Sequence, residues 1–176
     1  MEFVSRLANS LGVELVKAES LRAMRERPDN PDATDLAMRA AALANSSDES
    51  KMGDVINLYE RALALDPHNV SAMMGLASEL ETRVIQFASK DPAADITRAD
   101  ELINAVLAVQ PDNSTAHNIK GWLFFAKRQF GPATAEQETA IAEDRNNADA
   151  YAAKSFIKMW LGHSEDGFAA SKRRFG

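Results

Sequence analysis

Apolar residues return at three- and four-residue steps through most of this chain, the spacing of helices that each bury one face. Val55, Leu58, Tyr59, Ala62 and Leu65 make one such stripe, and the pattern predicts a helix over about 53–65. A similar pattern predicts a helix over about 33–44, with polar Asn45-Ser46-Ser47-Asp48-Glu49-Ser50 between the two. The helical stretches close on related runs: Ala62-Leu63-Ala64-Leu65-Asp66-Pro67-His68-Asn69, Val106-Leu107-Ala108-Val109-Gln110-Pro111-Asp112-Asn113 and Ala140-Ile141-Ala142-Glu143-Asp144-Arg145-Asn146-Asn147. The first two lie 44 residues apart and the last two 34. A period near 34 residues with two helices per unit is the arithmetic of a helical solenoid. Such a unit cannot shelter its own apolar face and stacks on its neighbours, leaving a curved surface for binding.

Residues 1–31 stand outside the repetition. Phe3, Leu7 and Leu11, then Leu15, Val16 and Leu21, predict two short N-terminal helices or one helix kinked at Gly12, since glycine costs about 1 kcal/mol in a helix interior. Arg27-Pro28-Asp29-Asn30-Pro31 breaks the pattern, because proline removes a donor and restricts the residue before it. The array then occupies 32–176, in units of about 32–69, 70–113, 114–147 and an incomplete 148–176. The second unit is about ten residues too long, and aligning Pro111 with Pro67 puts Ala99, Ile103 and Val106 at the core positions of its second helix. The surplus then falls between Glu81 and Ile96, as a first helix prolonged to about Ala88 and an elaborated loop around Ser89-Lys90-Asp91-Pro92. In the third unit Gly121 permits close helix approach, Phe124 fills the core, and Phe130-Gly131-Pro132 makes the turn. Pro132 opens the next helix, where its missing N–H is not needed. In the fourth unit Leu161-Gly162-His163 is the expected turn before a short last helix over about 165–174. The predicted product is all-α, a right-handed superhelix of about nine helices.

Composition narrows the function. Forty-five per cent of the 176 residues are hydrophobic, enough for a core, and the absence of cysteine excludes disulfides and thiolate metal sites. The net charge of −6 is interspersed, which argues against nucleic acid, since a duplex calls for a basic stripe. The start of the chain lacks the apolar run of a signal peptide, and no uncharged apolar stretch approaches the roughly 20 residues of a membrane span. A soluble cytoplasmic protein that does not bind membranes is the expectation. His68, His117 and His163 lie tens of residues apart without carboxylates at ligand spacing, so no metal site is expected. No Ser–His–Asp arrangement or glycine-rich phosphate loop is present either, so neither catalysis nor a cofactor is expected. Glu136, Glu138, Asp95, Asp100 and Glu101 read as solvated faces or first turns of helices, and Lys172-Arg173-Arg174 as a helix end, each matching the helix dipole.

The third unit resembles a tetratricopeptide repeat: Gly121 at position eight, Phe124 at eleven, Ala133 at twenty and Ala140 at twenty-seven. The second supplies Ala77, Leu80, Ala99 and Val106 there, and the first Ala40, Val55 and Ala62; Pro67 and Pro111 are the closing prolines. Arg145 replaces that proline in the third unit, and Arg39, Lys120 and Lys154 stand where position seven is usually leucine. The runs Arg6-Leu7-Ala8-Asn9-Ser10-Leu11-Gly12-Val13-Glu14-Leu15-Val16-Lys17-Ala18-Glu19, Arg27-Pro28-Asp29-Asn30-Pro31-Asp32-Ala33 and Leu58-Tyr59-Glu60-Arg61-Ala62-Leu63-Ala64-Leu65-Asp66-Pro67 are similar to the C-terminal repeat region of bacterial class III adenylate cyclases and related winged-helix regulators. That resemblance implies a non-catalytic sensory or protein-binding region, and not cyclase activity.

In tetratricopeptide repeats the first helix of each unit lines the concave wall at positions two, five, nine, twelve and thirteen. By that resemblance the wall comprises Ser71, Met74, Ser78 and Glu81, then Thr115, Asn118, Trp122, Phe125 and Ala126, then Asp149, Ala152, Phe156, Met159 and Trp160. The candidate protein-binding residues are Met74, Asn118, Trp122, Phe125, Phe156, Met159 and Trp160. Two arrangements fit the rings: packing between neighbouring helices, or exposure as large contact surfaces with few torsions to freeze. Capture of a peptide carboxylate by basic or amide residues is disfavoured, because position five reads Ala37, Met74, Asn118 and Ala152. The expected partner is a protein or peptide segment laid in a mixed apolar groove. The alternative is a self-assembly module. A solenoid end without a polar cap leaves an apolar face wet, so the C-terminal end is expected to be covered by a second copy or a partner.

Overall fold

The computed structural model of the chain describes residues 32–46 and 49–175, with side chains described as far as residue 162. The expected N-terminal helices over 1–31 lie outside the described residues. Among the described residues there are seven α-helices: α1 (Ala33–Ala44), α2 (Met52–Leu65), α3 (Val70–Ile85), α4 (Pro92–Val109), α5 (Ser114–Ala126), α6 (Phe130–Glu143) and α7 (Ala148–Phe175), with one 3-10 turn at Glu49–Lys51. No strand occurs among the described residues. The chain divides into two compact units, which meet in sequence between Val106 and Leu107.

In the first unit α1 packs against α2 as a hairpin and α3 packs against both. Leu36, Ala37 and Ala40 of α1 are buried together with Val55, Tyr59, Ala62 and Leu63 of α2 and Leu76, Ala77 and Leu80 of α3. Leu65, expected on the α2 stripe, is 60% exposed. At 100° per residue Val55, Tyr59, Ala62 and Leu63 cluster within one arc, while Leu58 and Leu65 fall on its margin. Gly75 lies against the Tyr59 ring so closely that an added Cβ would collide with it. The missing side chain is what lets α3 approach α2 there. The expected burial of Ala99, Ile103 and Val106 on α4 is observed.

The long second unit of the repetition is built differently from the expectation. α3 ends at Ile85, not Ala88, and α4 begins at Pro92, so the surplus enters a six-residue loop and the first turn of an 18-residue helix. The α3 end is closed by Phe87 N–H to the Val84 carbonyl and Ala88 N–H to the Arg83 carbonyl, with Phe87 at φ 59°. This is a left-handed helix cap. Asp91 then accepts the Ala94 N–H at 3.1 Å, and Pro92 occupies the first helical position, which needs no donor.

In the second unit α5 and α6 form a hairpin and α7 packs against both. The core is Ile119, Leu123, Ala133, Ala140, Ala150, Ala153 and Ile157, with the side chain of Gln137 fully enclosed. Leu123, not Phe124, fills the interior; Phe124 is half-buried with the Lys127 ammonium 5.6 Å from its ring centroid. The turn is Lys127–Gln129, not Phe130-Gly131-Pro132. It repeats the left-handed cap of α3, with Arg128 at φ 59° and its N–H on the Phe125 carbonyl. Pro132 is the third residue of α6 rather than its opener. The Leu161-Gly162-His163 turn does not form, and α7 runs unbroken from Ala148 to Phe175. Gly162 has no positive φ and meets nothing within 4 Å; a lone glycine costs only about 1 kcal/mol in a helix, too little to stop one without proline or a left-handed cap.

The turns that open α3, α5 and α7 are chemically alike. Asn69, Asn113 and Asn147 each accept the N–H three residues on, from Ala72, Ala116 and Ala150, at 2.9–3.0 Å. Asp32 does the same for Asp35 and completes a reciprocal capping box. The turn forms in the same way where Arg145 replaces the closing proline. Asp144 accepts the Asn146 N–H at 2.9 Å just as Asp66 accepts that of His68 at 3.0 Å, so side-chain turns do the work of proline.

Candidate protein-binding face

Helical spacing places Trp122 and Phe125 on one side of α5 and Phe156, Met159 and Trp160 on one side of α7. Because α5 and α7 pack against each other, these sides meet. Trp122 lies 5.6 Å by ring centroid from both Phe125 and Phe156; Phe125 and Phe156 are 5.5 Å apart, and Phe125 and Trp160 6.0 Å. Phe156 and Trp160 stack at 6.5 Å with planes 24° apart, while most of the other pairs are tilted or edge-on. Those are the arrangements that ring quadrupoles favour. Phe130, from the start of α6, joins at 5.7 Å from Phe125.

The cluster has an inner and an outer layer. Trp122, Phe125 and Phe130 are half-buried between helices. Phe156, Met159 and Trp160 are 38%, 53% and 51% exposed. Both tryptophans of the chain belong to it. Lys154 and Lys158 fall on the opposite side of α7 by helical spacing, and Lys154 pairs with Glu138 at 2.8 Å. Asp149 is exposed on the aromatic side, seven residues before Phe156.

Two expected members stand apart. Asn118 is buried, and its Oδ1 has no hydrogen-bond partner among the described residues. Met74 is half-buried on α3 in the first unit. Sequence spacing misses Phe130, because its place beside glycine and proline reads as a turn. Only the left-handed cap at Arg128, which moves the turn upstream, makes Phe130 a helical residue.

Three acids are buried or paired: Asp95, in the first turn of α4 as expected, Glu136, expected on a solvated face or first turn, and Glu81, expected on the concave wall. Asp95 is buried, held by Arg83 through two contacts of 2.9 and 2.5 Å and by the Ser89 hydroxyl at 2.6 Å. Burial pushes its carboxyl up, but the hydrogen bonds of Arg83 and Ser89 and the Arg83 charge outweigh this and hold it below the ordinary range. Glu136 is half-buried and meets His117 Nδ1 at 2.7 Å, while His117 Nε2 lies 2.9 Å from the Pro111 carbonyl. Glu81 is buried, and desolvation, with Glu79 nearby, pushes its carboxyl up to about 8. Among the described residues no group of three or more histidines and acids is placed to hold a metal ion, and no helix is long and apolar enough to cross a membrane.

No protein-family model matches the chain, and no curated protein matches it. Solved structures do. The thermophilic TPR protein TTC0263 of Thermus thermophilus matches at TM-score 0.69 and 16% identity, over 94% of this chain and 84% of that one. MamA from Desulfovibrio magneticus matches at TM-score 0.61 and 16% identity, over 91% and 89%. A mutant of MamA matches at 0.59 and 18%, over 97% and 95%. The fold is thus of the tetratricopeptide superhelix class, all-α and built of helical hairpins. At these identities the likeness concerns the fold.

Proposed function

We propose that this chain is a non-catalytic interaction scaffold, and that the aromatic side of α5 and α7 takes an apolar segment of another polypeptide. One observation carries the reading: Phe156, Met159 and Trp160 lie side by side and exposed, on an inner layer of half-buried rings that holds them in place. Rigid aromatic anchors of this kind bring contact area with little side-chain entropy to lose. The fold shared with TTC0263 supports it, since stacked hairpins leave one wall free of their own packing. The repeat boundaries at about 32–69, 70–113, 114–147 and 148–176, a cytoplasmic setting, and a role as the repeat region of a cyclase-like regulator belong to the same proposal. The last of these rests on the sequence runs alone.

Both tryptophans sit in the proposed contact surface, so binding reports on itself. A peptide array probed with the native chain, Trp122→Ala and Trp160→Ala identifies ligands, and tryptophan emission follows their titration. Loss of capture by at least tenfold in Trp160→Ala, with helicity intact, supports the reading. Equal capture by all three proteins removes it.

A further inference from the structure

The loop between α3 and α4 holds a second apolar feature that the fold does not use. Phe87 is 95% exposed, and at φ 59° it occupies the left-handed position that glycine or asparagine would fill with less strain. The loop around it is braced: the Phe87 and Ala88 N–H groups close the α3 end, and Ser89, Arg83 and Asp95 are tied together at its base. A bulky ring thus stands out from a fixed frame, while the second unit carries the exposed rings of Phe156 and Trp160, which no other described ring covers. Among the described residues none covers the Phe87 ring.

Charge decides which surfaces of two copies can meet. Residues 32–106 hold 13 acidic and 6 basic side chains, a net of −7, whereas residues 107–176 hold 8 and 9, a net of +1. Two first units repel each other, while a first unit and a second unit do not. Lys90, exposed three residues after Phe87, and Asp149, exposed on the aromatic side of α7, add a local pair of opposite charges, with the signs reversed from those of the units as wholes.

We infer that the chain associates with itself head to tail, Phe87 of one copy seating against Phe156 and Trp160 of the next. This names the occupant of the face proposed above and rests on that reading. Such a contact is heterologous: it uses two different surfaces, and a pair joined by one such contact leaves one of each open, which allows growth beyond a dimer. One inserted ring buries roughly 200 Å², well under the roughly 800 Å² per partner of a tight interface, so the association is weak and concentration-dependent.

Sedimentation velocity over a micromolar-to-submillimolar series tests it with two variants. Phe87→Gly removes the ring while suiting the left-handed backbone, and Trp160→Ala removes half of the receiving stack. The native chain is expected to grow past dimer mass with concentration, and each variant alone to associate at least tenfold more weakly. An equimolar mixture of the two, in which each variant keeps the surface the other lacks, is expected to form one-to-one dimers and stop there. A native chain that stays monomeric, a Phe87→Gly that assembles normally, or a mixture without dimers overturns the inference. If the monomeric chain still captures apolar peptides through its tryptophans, the second copy falls as occupant while the binding face stands. If it captures nothing, both fall.

Discussion

Gln137 of α6 lies directly over Gly121 of α5, and its side-chain amide donates to the Asn118 carbonyl at 3.0 Å. A Cβ on Gly121 would collide with the Gln137 amide and stand 3.2 Å from the Ala133 carbonyl. Glycine here is a packing requirement. Gly121→Ala is expected to lower stability by about 1–3 kcal/mol through overpacking, net of the alanine preference of helices, as read by urea denaturation. Gln137→Leu should sit within about 1 kcal/mol of the native chain, because the loss of the Nε2 bond to the Asn118 carbonyl is offset by removing a buried Oε1 that has no partner among the described residues. A neutral Gly121→Ala would show that the hairpin is looser than its geometry.

The same position in the first hairpin explains what could be read in advance. Tyr59 and Gln137 stand equally far before Pro67 and Arg145, the two ends of homologous turns, and each packs over a glycine, Gly75 or Gly121. Periodicity finds such positions, and it locates the helices to within a few residues wherever asparagine or aspartate caps mark a boundary. It fails where the boundary is set by a left-handed non-glycine residue. Phe87 and Arg128 end α3 and α5 without glycine or proline, so the sequence pattern puts the turns too late and makes Phe130 a loop residue. It fails again at Gly162, where a glycine signals a turn that the backbone does not take. For the binding face, the aromatic residues are legible because they follow helical spacing. The engagement of Asp95 by Arg83, twelve residues away across an irregular loop, has no periodic signature.

That ion pair is expected to contribute to the acid stability of the first unit. The Asp95 carboxyl is held below its ordinary 3.8 in the folded chain, so its contribution is present above the unfolded value and is lost as the pH falls through the lower folded one. Thermal melts of the native chain should therefore lose stability below about pH 4 more steeply than those of Asp95→Asn. Arg83→Ala is expected to cost about 2–4 kcal/mol at neutral pH, since it strands a buried carboxylate. Parallel acid limbs for native and Asp95→Asn proteins would assign the effect elsewhere.

Glu81 acts with the opposite sign. Burial, then the charge of Glu79, raises its folded-state value from 4.5 to about 8, so the folded chain holds a proton there that the unfolded chain releases. Stability contributed by this group is complete below about 4.5 and lost progressively as the pH rises to about 8. The span corresponds to a loss on the order of 5 kcal/mol. Glu81→Gln, which cannot ionise, should be more stable than the native chain at pH 8 and nearly equal to it at pH 5. Urea midpoints at those two values decide the matter, and equal differences at both would exclude Glu81 as the source.

Arg128 offers a test of the left-handed caps that does not touch the binding face. Its φ of 59° carries the strain of a side chain in a region that glycine enters freely, and its guanidinium is exposed. Arg128→Gly removes the strain, on the order of 1 kcal/mol, but adds freedom to the unfolded chain, which takes back part of it. The expected net is a gain of about 0.5 kcal/mol in urea denaturation, with Arg128→Val, β-branched and poorly suited to positive φ, losing about 1 kcal/mol or more by the same argument. If glycine and valine gave the same stability, the α5 end would have to close by some geometry other than the Schellman-type pairing of Gln129 N–H with the Phe124 carbonyl at 2.9 Å. Phe130 would then lose the helical position that brings it against Phe125.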